Sequence, residues 1–205
     1  MRRALALLAA TWLCTACFGS VFKSDIEPPD RYRLAGPVAA AGGEALPLAI
    51  SVARPGAASS LDTERIAVVK PDHGFDYLAG ARWADPAPQM LQQLLVAALA
   101  VDGRFATAVA APSHVPTDLL LDVELGHFEA VYASVDTPPR IRVELHANLV
   151  DVRKGVRVAS FEAGAEASAA RNDQRAVVAA FEQATDEAVQ TVAQRVRAAV
   201  AAAKP

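Results

Sequence analysis

The clearest pattern in the chain is a strict alternation of apolar and polar side chains in its second half. Residues 119–131 and 141–149 each place an apolar side chain at nearly every second position, a period that is typical of β-strands with one buried face. A third segment, residues 156–166, follows the turn at Lys154 and Gly155 and is expected to pair back on its neighbour. Together the three segments predict a β-meander.

Two other stretches have the period of an amphipathic helix. The first begins after Asp85, which we predict as the N-cap, with Pro86 at the first helical position and Gly103 as the C-terminal stop. Gln89, Gln92 and Gln93 are expected to form its polar side. Its apolar positions recur at helical spacing: Met90, Leu91, Leu94, Leu95, Ala98 and Val101.

The second helix is longer and ends the chain. We predict it over residues 173–202, with Asn172 or Asp173 as its cap. Because apolar side chains recur on one side of it, we expect that side to pack on the sheet. The apolar stripe consists of Val177, Phe181, Ala184, Ala188, Val192, Val196 and Ala199.

The first half of the chain has shorter apolar runs. We predict strands at residues 31–34, 48–53, 65–69 and 105–110, and loops at residues 38–46 and 55–60. Residues 75–86 are aromatic, contain Gly and Pro, and are predicted as an irregular segment. The chain has 205 residues, enough for one domain with a substantial core. The predicted fold is a single α/β layered domain, with a mixed β-sheet, a C-terminal meander and two main helices.

The N-terminus is typical of an export signal. Arg2 and Arg3 precede an apolar run at residues 4–13, which is too short to span a bilayer. The only two cysteines, Cys14 and Cys17, form a Cys-x-x-Cys. Such a pair can be a redox or metal motif, but here no strand or helix follows it closely to build that site.

The alternative interpretation of the cysteines is a lipobox at residues 13–17, because small residues precede Cys17 as bacterial lipoprotein processing requires. It predicts a signal peptide at residues 1–16, a lipid anchor at Cys17 with a tether to residue 30, and a folded domain at residues 31–205. Phe18 follows the cysteine where inner-membrane lipoproteins carry Asp, so by similarity to other lipoproteins we expect the outer membrane.

A short motif lies between the predicted strand at residues 65–69 and the first helix. Tyr77-Leu78 is followed by Arg82-Trp83-Ala84-Asp85-Pro86. Behind a lipoprotein signal, this arrangement resembles the ABC-type transport auxiliary lipoprotein family, over roughly Tyr32 to the C-terminal helix. One difference is that residues 69–74 are shorter here than the corresponding segment of many members.

The resemblance implies a role and partners. Members serve lipid-transporting systems of the mammalian-cell-entry (MCE) type, so we expect a non-enzymatic lipoprotein on the periplasmic face of the outer membrane. Its expected partners are an MCE-type periplasmic protein and ABC transporter components, with intermembrane phospholipid transport as the process. A symmetric homo-oligomer also fits the family. Two alternatives stay open: an envelope structural or assembly lipoprotein, and an envelope hydrolase.

Charge and motifs narrow the possible chemistry. Loss of Arg2 and Arg3 with the signal peptide lowers the formal net charge from −3 to −5, and no basic run remains, which argues against nucleic acid as a partner. We find no Gly-x-Ser-x-Gly, phosphate loop or spaced metal motif, so we expect no catalytic residue, cofactor or metal ligand. The histidines are scattered along the chain: His73, His114, His127 and His146.

Three residues of the motif are candidates for partner binding: Tyr77, Arg82 and Trp83. In the simpler, structural interpretation Trp83 closes the core, Tyr77 packs beside it and Arg82 pairs with a carboxylate or caps carbonyls. In the functional interpretation the segment contacts a partner protein or a lipid, because Trp, Tyr and Arg are preferred interface anchors.

Overall fold

The computed structural model describes residues 28–36, 45–101 and 103–203. These residues form nine strands and two helices. In chain order the elements are β1 Asp30–Tyr32, β2 Leu46–Val52, β3 Gly56–Ala57, β4 Arg65–Val69, β5 Phe75–Trp83, α1 Ala87–Ala100, β6 Phe105–Ala110, β7 Leu119–Val131, β8 Arg140–Asp151, β9 Val156–Ser168 and α2 Gln174–Ala202.

The sheet is organised around β7, whose length lets it pair with several shorter strands. Along one edge, β7 pairs in parallel with β2, then β3, then β4. Along the other edge it pairs antiparallel with β8, which in turn pairs antiparallel with β9. Beyond β4, β5 pairs antiparallel with β4, and β1 pairs in parallel with β5. At the other end, β6 pairs in parallel with β2. The predicted mixed sheet and C-terminal meander are confirmed.

The two helices contact each other and cover one face of the sheet. The longer helix, α2, packs on β8 and β9, and α1 packs on β6 and β2. On β8, Ile141, Val143 and Leu145 are fully buried under α2, whereas the residues between them are only half-buried. We call the helix-covered side the inner face and the other side the outer face. Within the described residues, neither helix is long and apolar enough to cross a membrane.

The predicted ends of the helices are partly confirmed. Asp173 is the N-cap of α2, and its carboxylate accepts a hydrogen bond from the Ala176 N–H at 2.9 Å. Gly103 adopts φ +64°, a left-handed conformation that suits the end of α1.

The predicted capping of α1 by Asp85 is wrong. The N-cap is Pro86 in an extended conformation, and the helix begins one residue later, at Ala87. The Ala87 N–H donates instead to the Thr63 carbonyl at 3.2 Å, which ties the helix start to the loop before β4. Asp85 accepts a bond from the Gln89 side chain at 3.4 Å.

Two predicted irregular segments contain strands. Residues 75–83 form β5 because β4 and β1 supply hydrogen-bonding partners on both sides, which the local sequence does not reveal. The predicted connection at residues 55–60 includes β3, which fills the edge of β7 between β2 and β4. Of the predicted loop at residues 38–46, residues 38–44 lie outside the described part of the chain.

The prediction that Gln92 lies on the polar side of α1 is also wrong, because its side chain is buried. Its Nε2 donates to the carbonyls of Val52 at 3.0 Å and Ala111 at 2.8 Å. The amide therefore links α1 to β2 and to the residue that follows β6.

We expect Gln92→Leu to lower the free energy of unfolding by about 1–3 kcal/mol, because it leaves the Ala111 carbonyl without its donor. Gln93→Leu is the matched control, since Gln93 is exposed on the same helix and should change stability by less than about 0.5 kcal/mol. Urea unfolding of both variants measures the difference. Equal stabilities would show that the two hydrogen bonds of the buried Gln92 side chain make no net contribution to the stability of the fold.

Candidate functional site

The three candidate residues lie on β5, but not on one face of it. Trp83 pairs with Tyr32 of β1, and Tyr77 pairs with Ala67 of β4. In a regular strand, residues 77 and 83 would point to the same side. Here the register shifts between the Arg65 and Ala67 pairings, and Gly80 has φ +67°. This bulge puts Tyr77 on the outer face and Trp83 on the inner face.

Trp83 lies entirely inside the core, with no exposed surface. Its ring centroid is 5.7 Å from that of Phe128 on β7 and 5.1 Å from that of Phe181 on α2. Phe128 and Phe181 are themselves 5.0 Å apart. The three rings form one cluster, which we call the aromatic core, that joins the sheet to α2. Trp83 can therefore influence a partner only through the position of β5.

Arg82 points to the opposite side and is exposed. Its strand neighbours are both arginines, because Arg82 pairs with Arg31 of β1 and with Arg65 of β4. Among the described residues, no carboxylate oxygen lies within 4.0 Å of the Arg82 guanidinium. We call Arg31, Arg82 and Arg65 the arginine row. Of the three, only Arg82 was a candidate from the sequence, since the other two lie far from it in the chain.

Tyr77 is half-buried beside this row. Its hydroxyl donates to the Ser60 carbonyl at 3.2 Å, and the Arg65 guanidinium lies over its ring at 3.5 Å from the centroid. Phe75 meets the ring edge-on at 5.3 Å and is 46% exposed. The stacking holds Arg65 in place by a cation–π contact. Arginines and aromatic rings thus share one part of the outer face.

The rest of the outer face carries histidines and carboxylates. His127 Nδ1 lies 2.6 Å from Glu129 Oε1. His146 lies between two carboxylates, at 3.2 Å from Glu144 and 3.4 Å from Glu162. The hydrogen bond from Arg142 lowers the pKa of the Glu144 carboxyl. Among the described residues, no three His, Cys, Asp or Glu side chains are arranged to hold a metal ion.

The other two histidines and the charged residues near the turn between β4 and β5 lie apart from this group. His73 and His114 are exposed. Asp76 pairs with Lys70 at 2.6 Å, and this hydrogen bond lowers the pKa of the Asp76 carboxyl. Asp72 accepts from the Gly74 N–H at 3.0 Å, as in a tight turn. These contacts are typical of solvated surface charges.

Two cavities lie near the ends of the sheet. One has a volume of 530 Å³ and includes Pro71, Tyr132 and Val135 in its lining; burial raises the pKa of the Tyr132 hydroxyl. The other, of 310 Å³, includes Leu48, Asp118 and Val200. Neither cavity contains a candidate residue from the sequence analysis.

Comparisons with known proteins agree with this architecture. Residues 32–193 match the sequence model of a family described as the ABC-type transport auxiliary lipoprotein component. No curated protein matches the chain. The crystal structure of a Xanthomonas campestris protein is similar, with 26% identity and a TM-score of 0.76 over 84% of this chain and 98% of that one.

More distant structures show the same fold. An uncharacterized protein has 18% identity and a TM-score of 0.62, over 83% of this chain and 99% of its own. A hypothetical protein of Chlamydia trachomatis has 10% identity and a TM-score of 0.54, over 77% of this chain and 99% of its own. The matched family region runs from the last residue of β1 into α2, so it includes β5 with Arg82 and β4 with Arg65, whereas Arg31 lies one residue before it.

Proposed function

Because this chain belongs to the ABC-type transport auxiliary lipoprotein family, we propose that it serves an MCE-type ABC system that moves phospholipid between membranes. In this proposal the protein is anchored to the outer membrane and faces the periplasm. It holds the periplasmic part of the transporter near that membrane or shapes the hand-over of lipid. Membership in a transport-auxiliary family points to a non-enzymatic role.

The observation that carries the proposal is the family match over residues 32–193, which spans nearly the whole folded domain. The outer face gives a partner a place to bind, because no helix of the described chain covers it and it presents Arg82 and the ring of Tyr77. On the inner face, the buried Trp83 packs in the aromatic core and so holds β5 in position. Closed symmetry is common among homo-oligomers, and we include a symmetric assembly of several copies in the proposal.

Affinity capture of the tagged, lipidated protein from envelope membranes tests the function. We expect MCE-type protein and ABC transporter subunits among the captured proteins. The control is residues 1–29 of this chain fused to an unrelated periplasmic domain, which shares the anchor and tether alone. Equal recovery of transporter subunits with the fusion would overturn the proposal, because the folded domain would then add nothing.

Lipidation is tested separately. Cys17 and Cys14 lie outside the described residues, so the expectation rests on the lipobox. Cys17→Ala should abolish labelling by palmitate, because the sulfur that would carry the diacylglyceryl group is lost. Cys14→Ser should keep the label, since Cys14 leaves with the signal peptide. The reverse pattern, a label lost from the Cys14 variant and kept by the Cys17 variant, would contradict the processing site.

A further inference from the structure

The arginine row places three like charges on neighbouring strands. Arg31, Arg82 and Arg65 are direct partners across β1, β5 and β4. Adjacent strands lie about 4.8 Å apart, so the three Cα atoms lie within roughly 10 Å of one another. Like charges directly opposite on a sheet are destabilising. The stability of the fold therefore does not explain why all three positions hold arginine.

Neighbouring groups compensate only part of this charge. Arg31 contacts Glu64 at 3.4 Å. The nearby Asp76 is already paired with Lys70 at 2.6 Å. Arg65 lies over the Tyr77 ring, which supplies no formal charge. In the described parts of the chain, no carboxylate lies within 4.0 Å of Arg65 or Arg82, so the row keeps a net positive charge.

The aromatic pair beside the row suits a water–lipid boundary. Phe75 is 46% exposed and packs edge-on against Tyr77. Tyrosine is enriched where membrane meets water, because its ring is apolar and its hydroxyl is polar. Arginine can also rest its stem on apolar surface while its charge reaches phosphate. The pair thus adds an apolar contact to an electrostatic one.

The position of the row in the chain identifies the surface it would meet. Arg31 belongs to the first strand and lies fourteen residues after Cys17. At about 3.5 Å per residue, the intervening chain reaches at most roughly 50 Å. An anchor at Cys17 would therefore keep the row near lipid headgroups. Tethering raises effective concentration toward the millimolar range, so a weak attraction is enough for docking.

The part of the outer face on β7, β8 and β9 carries more carboxylates than cations, and its Arg140 and Arg142 are already paired with Glu166 at 3.3 Å and with Glu144 at 2.8 Å. Asp122 and Glu124 on β7 and Glu162 on β9 are all exposed. Anionic headgroups attract the arginine row and repel this carboxylate-rich part. The separation of charge along one face gives the domain a preferred orientation at an anionic surface.

We propose that the arginine row binds the phosphates of anionic phospholipid at the surface of the membrane that holds the anchor. The row then sets the orientation of the domain, with β1, β4 and β5 towards the membrane. This inference rests on the proposed function for the anchor at Cys17 and adds a second, electrostatic contact to it.

The test uses residues 17–205 with Cys17→Ser, which contains every described element and carries no acyl chain. Co-sedimentation is measured with vesicles of phosphatidylethanolamine and phosphatidylglycerol, and with vesicles of phosphatidylcholine alone. We expect preference for the anionic vesicles, lost at about 0.5 M salt because charges are then screened within a few ångströms. Arg82→Gln should lower the partition coefficient about fivefold, as one arginine near an anionic surface is worth this factor.

Arg157→Gln is the matched control, because Arg157 is exposed at the far edge of the sheet on β9 and its loss removes the same charge. It should leave binding nearly unchanged, and circular dichroism melts confirm that each variant is folded. Equal losses from Arg82→Gln and Arg157→Gln would overturn the proposal, since net charge alone would then matter.

A second experiment distinguishes binding of the row to lipid from binding to a protein. The variant for this comparison changes all three arginines to Gln: Arg31, Arg65 and Arg82. If this variant still binds vesicles but no longer captures transporter subunits, the row binds an acidic protein surface. The proposal then fails. Since the tested chain has no acyl group, its vesicle binding does not depend on lipidation. A failure of palmitate labelling would remove the anchor without changing this result.

Discussion

Trp83→Ala is expected to lower the free energy of unfolding by about 3–5 kcal/mol, the usual cost of removing a large buried ring. The indole has no exposed surface and contacts Phe128 and Phe181, so its loss leaves a cavity between sheet and helix. Domains are stable by about 5–15 kcal/mol. The substitution therefore removes a large part of the stability of the fold.

Arg82→Ala is the matched control for Trp83→Ala, because Arg82 is the adjacent residue on the same strand and its side chain is exposed on the outer face. It should change stability by less than about 0.5 kcal/mol. Denaturant unfolding of both variants measures this contrast. If Trp83→Ala unfolds at the same denaturant concentration as the unchanged protein but no longer captures its partner, the indole instead contacts the partner.

Phe181→Ala has an expected cost of similar size, about 3–5 kcal/mol. Phe181 is fully buried on α2 and lies 5.0 Å from Phe128 and 5.1 Å from Trp83, so it carries much of the contact between this helix and the sheet. For a chain of this size, such a loss lowers the melting temperature by roughly 6–20 °C.

The control for Phe181→Ala is Phe75→Ala, which removes the same side chain from a half-exposed position on the outer face. Thermal melts followed by circular dichroism compare the two. If both variants melt within about 2 °C of the unchanged protein, α2 does not pack through Phe181 as described.

The Arg-Trp pair thus has two separate roles along one strand. Trp83 contributes to stability through the aromatic core, and Arg82 contributes charge to the outer face. Variants at the two positions should fail in different assays, one in unfolding and the other in membrane or partner binding. A motif of adjacent residues can therefore combine a structural requirement with a surface requirement.

The sequence by itself determined the elements whose burial follows a local period. The alternation in β7 and β8 predicted one buried and one wet face, and the stripe along α2 predicted its contact with the sheet. Asp173 was also identified as a possible cap from local chemistry. These features are readable because each depends on residues a few positions apart.

Only the tertiary structure decided β5 and the surface around it. The neighbours of β5 are β4 and β1, and Arg31 lies fifty-one residues before its partner Arg82 in the chain. A glycine within a strand can indicate a bulge, but the shift near Gly80 that separates the faces of Tyr77 and Trp83 depends on pairing with β4. The pattern of a strand shows which side chains share a face, whereas its partners and register follow from packing against distant segments. For that reason the arginine row could not be found from the sequence.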